Sequence, residues 1–427
     1  MAKQKKFGLT TKILIGLFLG LLFGVFLNLI GLDDFIQTYF IDGLFNMGGK
    51  IFVAALKLLV VPIVFVSLVT GTASLGSLRE LGVVGGKTLG LYLLTTCVAI
   101  SLAIILAILV SPGAGFGLQA DANFVGKDAP PLSQVIINLF PSNPIKALAD
   151  GEMLQIIVFS ILFGLGMMAT GAAGKRILGA FKDLNEVIMK LVMMLMEVAP
   201  YGVFFLVAKV FAEQGFSAII PLGKYFVTVL VVLILHATIT YPVLLKSLTR
   251  LSPVRFFKNF KNPIIFGFST ASSNATLPVT METVEYQCGV KNSVASFTLP
   301  LGATINMDGT AIMQGVATVF IAQVYGIDLT VSDYLMVIIT ATLASIGTAG
   351  VPGVGLIMLA MVLRQVGLPV EGIGLIIGVD RLLDMVRTSV NIVGDGVVTC
   401  VVAKSEKMID EDVFNADTKH EPKLRIP

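Results

Sequence analysis

The chain has 427 residues, of which 56% are hydrophobic and only 13% charged, with a mean hydropathy of +0.91 and a net charge of +3. Soluble domains carry about 25% charged residues, so this composition excludes a soluble protein and leaves no soluble domain of useful size. The cysteines Cys97, Cys288 and Cys400 are widely spaced and odd in number. That excludes a disulfide framework and a metal-ligand pattern and reads as inert packing.

Met1 to Lys6 is basic and leads into an apolar run with no small-residue cleavage site, the pattern of a retained transmembrane helix rather than a signal peptide. Apolar runs at 10–31, 43–71, 83–111, 154–171, 184–212 and 218–246 are each long enough, or nearly so, to span a hydrocarbon core of about 30 Å. The segments between them alternate in charge. Met1 to Lys6, the stretches with Arg79 and Lys87 and with Lys175, Arg176 and Lys182, and above all Lys246 to Lys261 are basic. Those around Asp33 and Asp34, around Asp121 and Asp128, and around Glu213 are acidic or neutral. The positive-inside rule then puts the N-terminus in the cytoplasm and the polar loop Gly113 to Gln134 outside. Glycines between Gly16 and Gly24 read as a helix-packing face.

Beyond residue 260 the pattern changes. Ser269 to Thr280 and Ser345 to Gly355 are rich in small, hydroxyl, Gly and Pro residues and lie between apolar arms too short to cross alone, so each predicts the tip of a re-entrant hairpin. Each hairpin is followed by a membrane helix with a polar interruption. One crossing separates the two units, which makes the repeat inverted, a signature of secondary transporters. The polar tail Lys404 to Pro427 returns to the cytoplasm and is expected to be flexible.

Three polar groups carry the chemistry. Asn306 and Asp308 would face nearly opposite sides of a regular helix, so the backbone there is expected to unwind, helped by Pro300, Gly302 and Gly309. Freed carbonyls with Thr304, Asn306 and Asp308 offer the oxygens a hard cation takes; the alternative is a structural Asp bonded to neighbouring hydroxyls. Asp380, Asp384, Arg387, Asn391 and Asp395 fall at i, i+4, i+7, i+11 and i+15 within Ile373 to Ala403, on one stripe about 80° wide. Such groups are costly in hydrocarbon, so the stripe turns toward protein. Arg387 and Asp384 could neutralise one another. The excess of carboxylates instead favours a zwitterion with a second carboxylate: ammonium near Asp384, carboxylate forked on Arg387, sodium near Asp395. Tyr92, Thr95 and Thr96 share a helix face and serve either as ligands or as backbone-bonded hydroxyls. His236 reads as a satisfied interior polar group rather than a proton carrier. No phosphate loop, metal-ligand cluster or nucleophile with a base is apparent, so an enzyme has no support.

SSNATLPVT (Ser272 to Thr280), LPLGATINMDGT (Leu299 to Thr310), ASIGTAGVPG (Ala344 to Gly353) and DMVRTSVNIVGD (Asp384 to Asp395), in that order, resemble the glutamate transporter family of dicarboxylate and amino-acid symporters. The prokaryotic sodium-coupled aspartate/glutamate members are the nearest in pattern, and TKILIGLFLG and LYLLTT extend the resemblance over nearly the whole chain. It implies an all-α polytopic membrane protein with eight transmembrane helices and two re-entrant helical hairpins, a homotrimer working as an elevator. The implied scaffold covers 1–82 and 113–212, the transport domain 83–112 and 213–403, and the cytoplasmic tail 404–427. Substrate would lie against Ser273, Thr310, Val351, Gly355, Asp384, Arg387, Thr388 and Asn391. Sodium would be held by Gly302, Asn306, Asn391 and Asp395, by Thr304, Ser345, Ile346 and Thr348, and by Tyr92, Thr95, Thr96, Asn306 and Asp308. The implied partners are an acidic amino acid, co-transported sodium in place of any cofactor, membrane lipid and two further copies of the chain, with no nucleic acid. Both termini are cytoplasmic, in the inner (plasma) membrane.

The chain departs from the family at Ala271 and Met385, where an arginine is common at one or the other. Arg381, one turn before Met385, could serve the same region. Gln314 stands where animal members carry a titrating glutamate, which argues against coupling through that position. Asp384 argues for a substrate with an amino group. The leading expectation is sodium-coupled import of aspartate or glutamate. Proton coupling, a C4-dicarboxylate cargo and, from another class, an ion channel are the alternatives.

Overall fold

A computed structural model describes residues 9–31, 33–73, 82–116, 140–215, 219–345 and 353–416, and over these the chain is helical apart from one isolated β-bridge, Val290 to Ile409. Met1 to Lys6, Arg79, most of the Gly113 to Gln134 loop, the centre of the second hairpin tip and the last eleven residues lie outside them.

The first runs become α1 (Leu9–Ile30), α2 (Asn46–Ala73, entered through a π-helical stretch Ile36–Phe45), α3 (Gly82–Val110), a short α4 (Pro144–Asp150), α5 (Met153–Ala169) and α6 (Ala172–Gln214). The last is longer than its apolar run because its first turns carry Lys175, Arg176 and Lys182, which a hydropathy pattern cannot tell from a loop. It bends by 45° between Ala172–Leu195 and Glu197–Gln214. Pro200 sits just beyond the bend, and its ring clashes with the carbonyl four residues back while removing one ladder bond. Among the described residues, five stretches are long and apolar enough to cross a membrane, and the two arms of α6 together make a sixth. The chain is a multi-pass membrane protein.

Helix α1 lies backbone to backbone on α6. A Cβ added to Gly16, Gly20 or Gly24 would fall on the carbonyl oxygens of Pro200, Phe204 and Ala208, at 2.7 Å for Gly20. Gly20→Leu should therefore force the helices apart and destabilise the fold by about 1–3 kcal/mol. Gly90→Leu, at an exposed glycine with nothing within 4 Å, is the control. Equal thermal midpoints for the two variants in detergent would refute this packing.

The remainder runs α7 (Ile219–Leu235), a π turn (His236–Thr240), α8 (Tyr241–Thr249), α9 (Pro253–Asn259), α10 (Lys261–Thr270), α11 (Ser273–Tyr286), α12 (Asn292–Ile305), α13 (Asp308–Val324), α14 (Val331–Ser345), α15 (Val354–Gln365), α16 (Ile373–Ser405) and α17 (Glu411–Asn415). Helices α10 and α11 form the first predicted hairpin, with a shorter tip than expected. Ala271 takes a left-handed φ of 49° to end α10, and Ser272 caps α11 by accepting from the Ala275 amide at 3.2 Å, so Ser273 to Thr280 is already helical. Helices α14 and α15 are the arms of the second. Gly353 has φ 88°, and Val354 and Gly355 already belong to α15.

The chain unwinds where expected. Asn306 (φ −86°, ψ 95°) and Met307 (φ −120°, ψ 43°) separate α12 from α13. The stripe helix α16 is buried on every face from Arg387 to Ala403, because α3, α7, α8, both arms of the first hairpin, α12 and α13 pack around it. The start of the tail is docked rather than flexible. The Lys291 amide donates to the Met408 carbonyl at 3.0 Å, the Asp410 amide to Gly289 at 2.7 Å, and Phe414 is fully buried. Backbone pairing and one buried aromatic ring explain why its polar composition misled.

Candidate functional site

On α16, Arg387 is 1% exposed and its guanidinium forks onto Asp380, Nη1 to Oδ1 at 2.6 Å and Nη2 to Oδ2 at 3.3 Å. Nη2 also donates to Asp384 Oδ1 at 2.9 Å, while Arg381 Nη1 donates to Asp384 Oδ2 at 3.3 Å. The expected Arg387–Asp384 pair is present but secondary. Asp380, two turns away on the same stripe, holds the fork. Two arginines against two aspartates leave no excess charge at this end, contrary to the sequence expectation, because Arg381 joins the group. Arg387 Nε has no partner among the described residues. Gly355 brings α15 onto the same guanidinium: a Cβ there would lie 3.5 Å from Nη2 and 3.3 Å from the Thr310 methyl. Thr388 turns its hydroxyl to the Asp384 carbonyl at 2.9 Å. Ser273 is buried at the start of α11, and Val351 lies outside the described residues.

One and two turns further along α16, a second group forms around the break between α12 and α13. Asn306 Nδ2 donates to Asp395 Oδ1 at 2.9 Å and to the Asn391 carbonyl at 3.0 Å. Asn391 Oδ1 accepts from the Gly309 amide at 2.7 Å, at the positive end of α13. Gly302 is required by close approach, since a Cβ there would lie 2.5 Å from both Asp395 Oδ1 and Tyr92 OH. Gly302, Asn306, Asn391 and Asp395 are thus brought together. Asn306 Oδ1 is buried with no partner among the described residues.

The third group centres on Asp308, which is 0% exposed. Its Oδ1 accepts from Thr96 Oγ1 at 2.6 Å, and its Oδ2 from Tyr241 OH at 2.8 Å and from His236 Nε2 at 3.1 Å. Tyr92 OH donates to the Thr298 carbonyl at 3.1 Å, and Thr95 to the Tyr92 carbonyl at 3.1 Å. His236 is not fully satisfied: Nδ1 has no partner among the described residues. The roles of His236 and Tyr241 beside Asp308 escape sequence reasoning. Five residues apart on an α-helix they would diverge by about 140°, and only the π turn swings both to one side. Thr304 and Ser345 turn their hydroxyls to the Leu301 and Thr342 carbonyls at 2.9 and 2.7 Å. Among the described residues no hydrogen bond joins these two, and Ile346 and Thr348 lie outside that set.

Neither Asp308 nor Asp395 has a lysine or arginine partner among the described residues. Among the same residues, no group of three or more His, Cys, Asp and Glu could hold a metal ion; the side chains gathered around Asp308 and Asp395 offer chiefly oxygen atoms, the donors hard cations take.

Broken helices meeting around buried carboxylates inside a multi-pass helical protein are the architecture of a secondary transporter. The Sodium:dicarboxylate symporter family matches residues 9–405, and the chain belongs to this family, whose members are transporters rather than enzymes. It is 36% identical over 420 residues to the proton/glutamate-aspartate symporter of Escherichia coli (strain K12), covering 96% of this chain and 95% of that one. It is 35% identical over 426 residues to the proton/sodium-glutamate symport protein of Bacillus caldotenax, covering 96% and 97%. A C4-dicarboxylate transport protein of Bacillus subtilis (strain 168) is 33% identical over 371 residues, covering 85% and 88%.

Proposed function

We propose that this symporter imports aspartate or glutamate together with sodium, as a homotrimer in the plasma membrane with both termini cytoplasmic. In this reading eight crossings and two hairpins divide into a scaffold of α1, α2, α5 and α6, and a moving body of α3, α7–α8, both hairpins, α12–α13 and α16. The body carries cargo across as an elevator. The observation that carries the sodium reading is charge accounting. Asp308 and Asp395 are buried to 0% and 3% without a lysine or arginine partner among the described residues, beside an unpartnered Asn306 Oδ1. Uncompensated carboxylates in a membrane interior are costly, and co-transported cations would offset them.

Cargo binding would exchange partners on α16. The substrate side-chain carboxylate would displace Asp380 from the Arg387 fork, and its ammonium would take Asp384. Thr310, Gly355, Thr388 and Asn391 would line the remaining surface, with Ser273 and Val351 at the hairpin tips, and the second hairpin would close over them as a gate. Proton coupling is the second reading, favoured by the name of the E. coli relative. The B. subtilis relative's name raises a C4-dicarboxylate as cargo.

Purified protein in liposomes, with sodium and proton gradients imposed separately, distinguishes these. Aspartate uptake should follow the sodium gradient, and binding should strengthen steeply with sodium because the linkage is reciprocal. Uptake driven by a proton gradient in sodium-free buffer would overturn the sodium reading, and uptake of succinate in preference to aspartate would overturn the substrate reading.

A further inference from the structure

Helices α7 and α8 supply no ligand in the sodium reading, yet they place two side chains on its central carboxylate. His236 and Tyr241 are both 0% exposed and converge on Asp308 Oδ2, at 3.1 and 2.8 Å. Their rings pack edge to face, with centroids 4.5 Å apart at 68°, so each fixes the other. The Nε2 bond to Asp308 is the single hydrogen bond that the His236 ring makes among the described residues, since Nδ1 has none. The tyrosine hydroxyl also lies against Gly394, beside the Asn306 amide: a Cβ on Gly394 would come within 2.5 Å of Asn306 Nδ2 and closer still to Tyr241 OH. The π turn between the two residues makes this convergence possible, and such turns collect at functional sites.

We propose that His236 and Tyr241 are positioning residues that set the sodium affinity of the Asp308 site; the inference rests on the sodium reading above. Two donors on Oδ2 fix the plane of the carboxylate. Oδ1 then stays aimed at Thr96, on the side of Tyr92 and Thr95, where a cation would be held. A hard cation needs several oxygens at set distances, so a carboxylate free to rotate would have to be ordered at each binding event. Partners that orient a ligating group typically contribute 10- to 100-fold in metal affinity.

The test is the sodium dependence of radiolabelled aspartate binding at one fixed pH, alongside thermal unfolding without sodium. Tyr241→Phe removes one oxygen and keeps the ring, while His236→Leu removes the donor. Both should raise half-saturating sodium about 10- to 100-fold, and binding should recover at saturating sodium. His236→Gln, which can still donate, should restore most of the affinity. A merely structural role predicts a lower thermal midpoint with half-saturating sodium unmoved. Sodium affinity within twofold of wild type in folded Tyr241→Phe, or His236→Gln as impaired as His236→Leu, would overturn the proposal. If His236→Leu does not fold, Tyr241→Phe decides alone. Wild-type binding indifferent to sodium would overturn the sodium reading itself, and this inference with it.

Discussion

Arg387→Cys is expected to weaken aspartate and glutamate binding by about 10⁴-fold, the discrimination available to a site built around a polar contact that is then left unmade. Among the described residues the guanidinium is the one buried cation able to grip a carboxylate with two parallel bonds, and Asp380 already demonstrates the geometry at 2.6 and 3.3 Å. Arg387→Lys should not rescue binding, because an ammonium cannot fork. Removing the arginine also strands Asp380, while Asp384 keeps Arg381. Breaking a buried pair costs about 3–5 kcal/mol, so loss of binding through misfolding has to be separated from loss of recognition. The double variant Asp380→Asn/Arg387→Cys restores the charge balance without restoring the fork, and Arg381 still faces Asp384. That protein should regain thermal stability, still fail to bind aspartate, and gain small neutral amino acids such as serine. If it keeps the original preference for aspartate over serine, Arg387 does not select the second carboxylate.

How far the site is legible in sequence depends on whether the partners are local. The α16 stripe is readable because helical period and the cost of charge in hydrocarbon act within one segment. The break at Asn306 is readable because two polar residues at i and i+2 cannot share a face. Partner choice is not. Arg387 can reach Asp384 at three residues or Asp380 at seven, and spacing alone does not say that it bonds both, with the fork on Asp380. His236 and Asp308 are 72 residues apart and meet at 3.1 Å, a pairing with no local signature. Hairpin boundaries fail for a related reason. Ser272 can extend a loop or cap a helix, and its bond to the Ala275 amide settles the matter. The tail shows the opposite limit: Phe414 is one apolar residue in a polar stretch, and its burial depends on a surface supplied by the helices around the first hairpin.

Gly302→Ala should abolish sodium-dependent binding while leaving a folded protein. Within α12, alanine is the better helix former by about 1 kcal/mol, so local propensity alone predicts a neutral or stabilising change. The third dimension reverses the sign. The added methyl would sit 2.5 Å from both Asp395 Oδ1 and Tyr92 OH, and neither can retreat cheaply. Asp395 Oδ1 is held by Asn306 Nδ2 at 2.9 Å, and Tyr92 OH by the Thr298 carbonyl at 3.1 Å. The methyl therefore occupies the space between Asp395, Tyr92 and the α12 backbone and forces the carboxylate off Asn306. If that space holds a cation during transport, the expected loss in sodium affinity is at least about 100-fold, the upper end of the cost of disturbing a ligand shell. Sodium titrations of aspartate binding measure it, with the thermal midpoint as the check on folding. A Gly302→Ala protein that is stable and keeps wild-type sodium dependence would place the cation elsewhere and leave Asp395 a purely structural partner of Asn306.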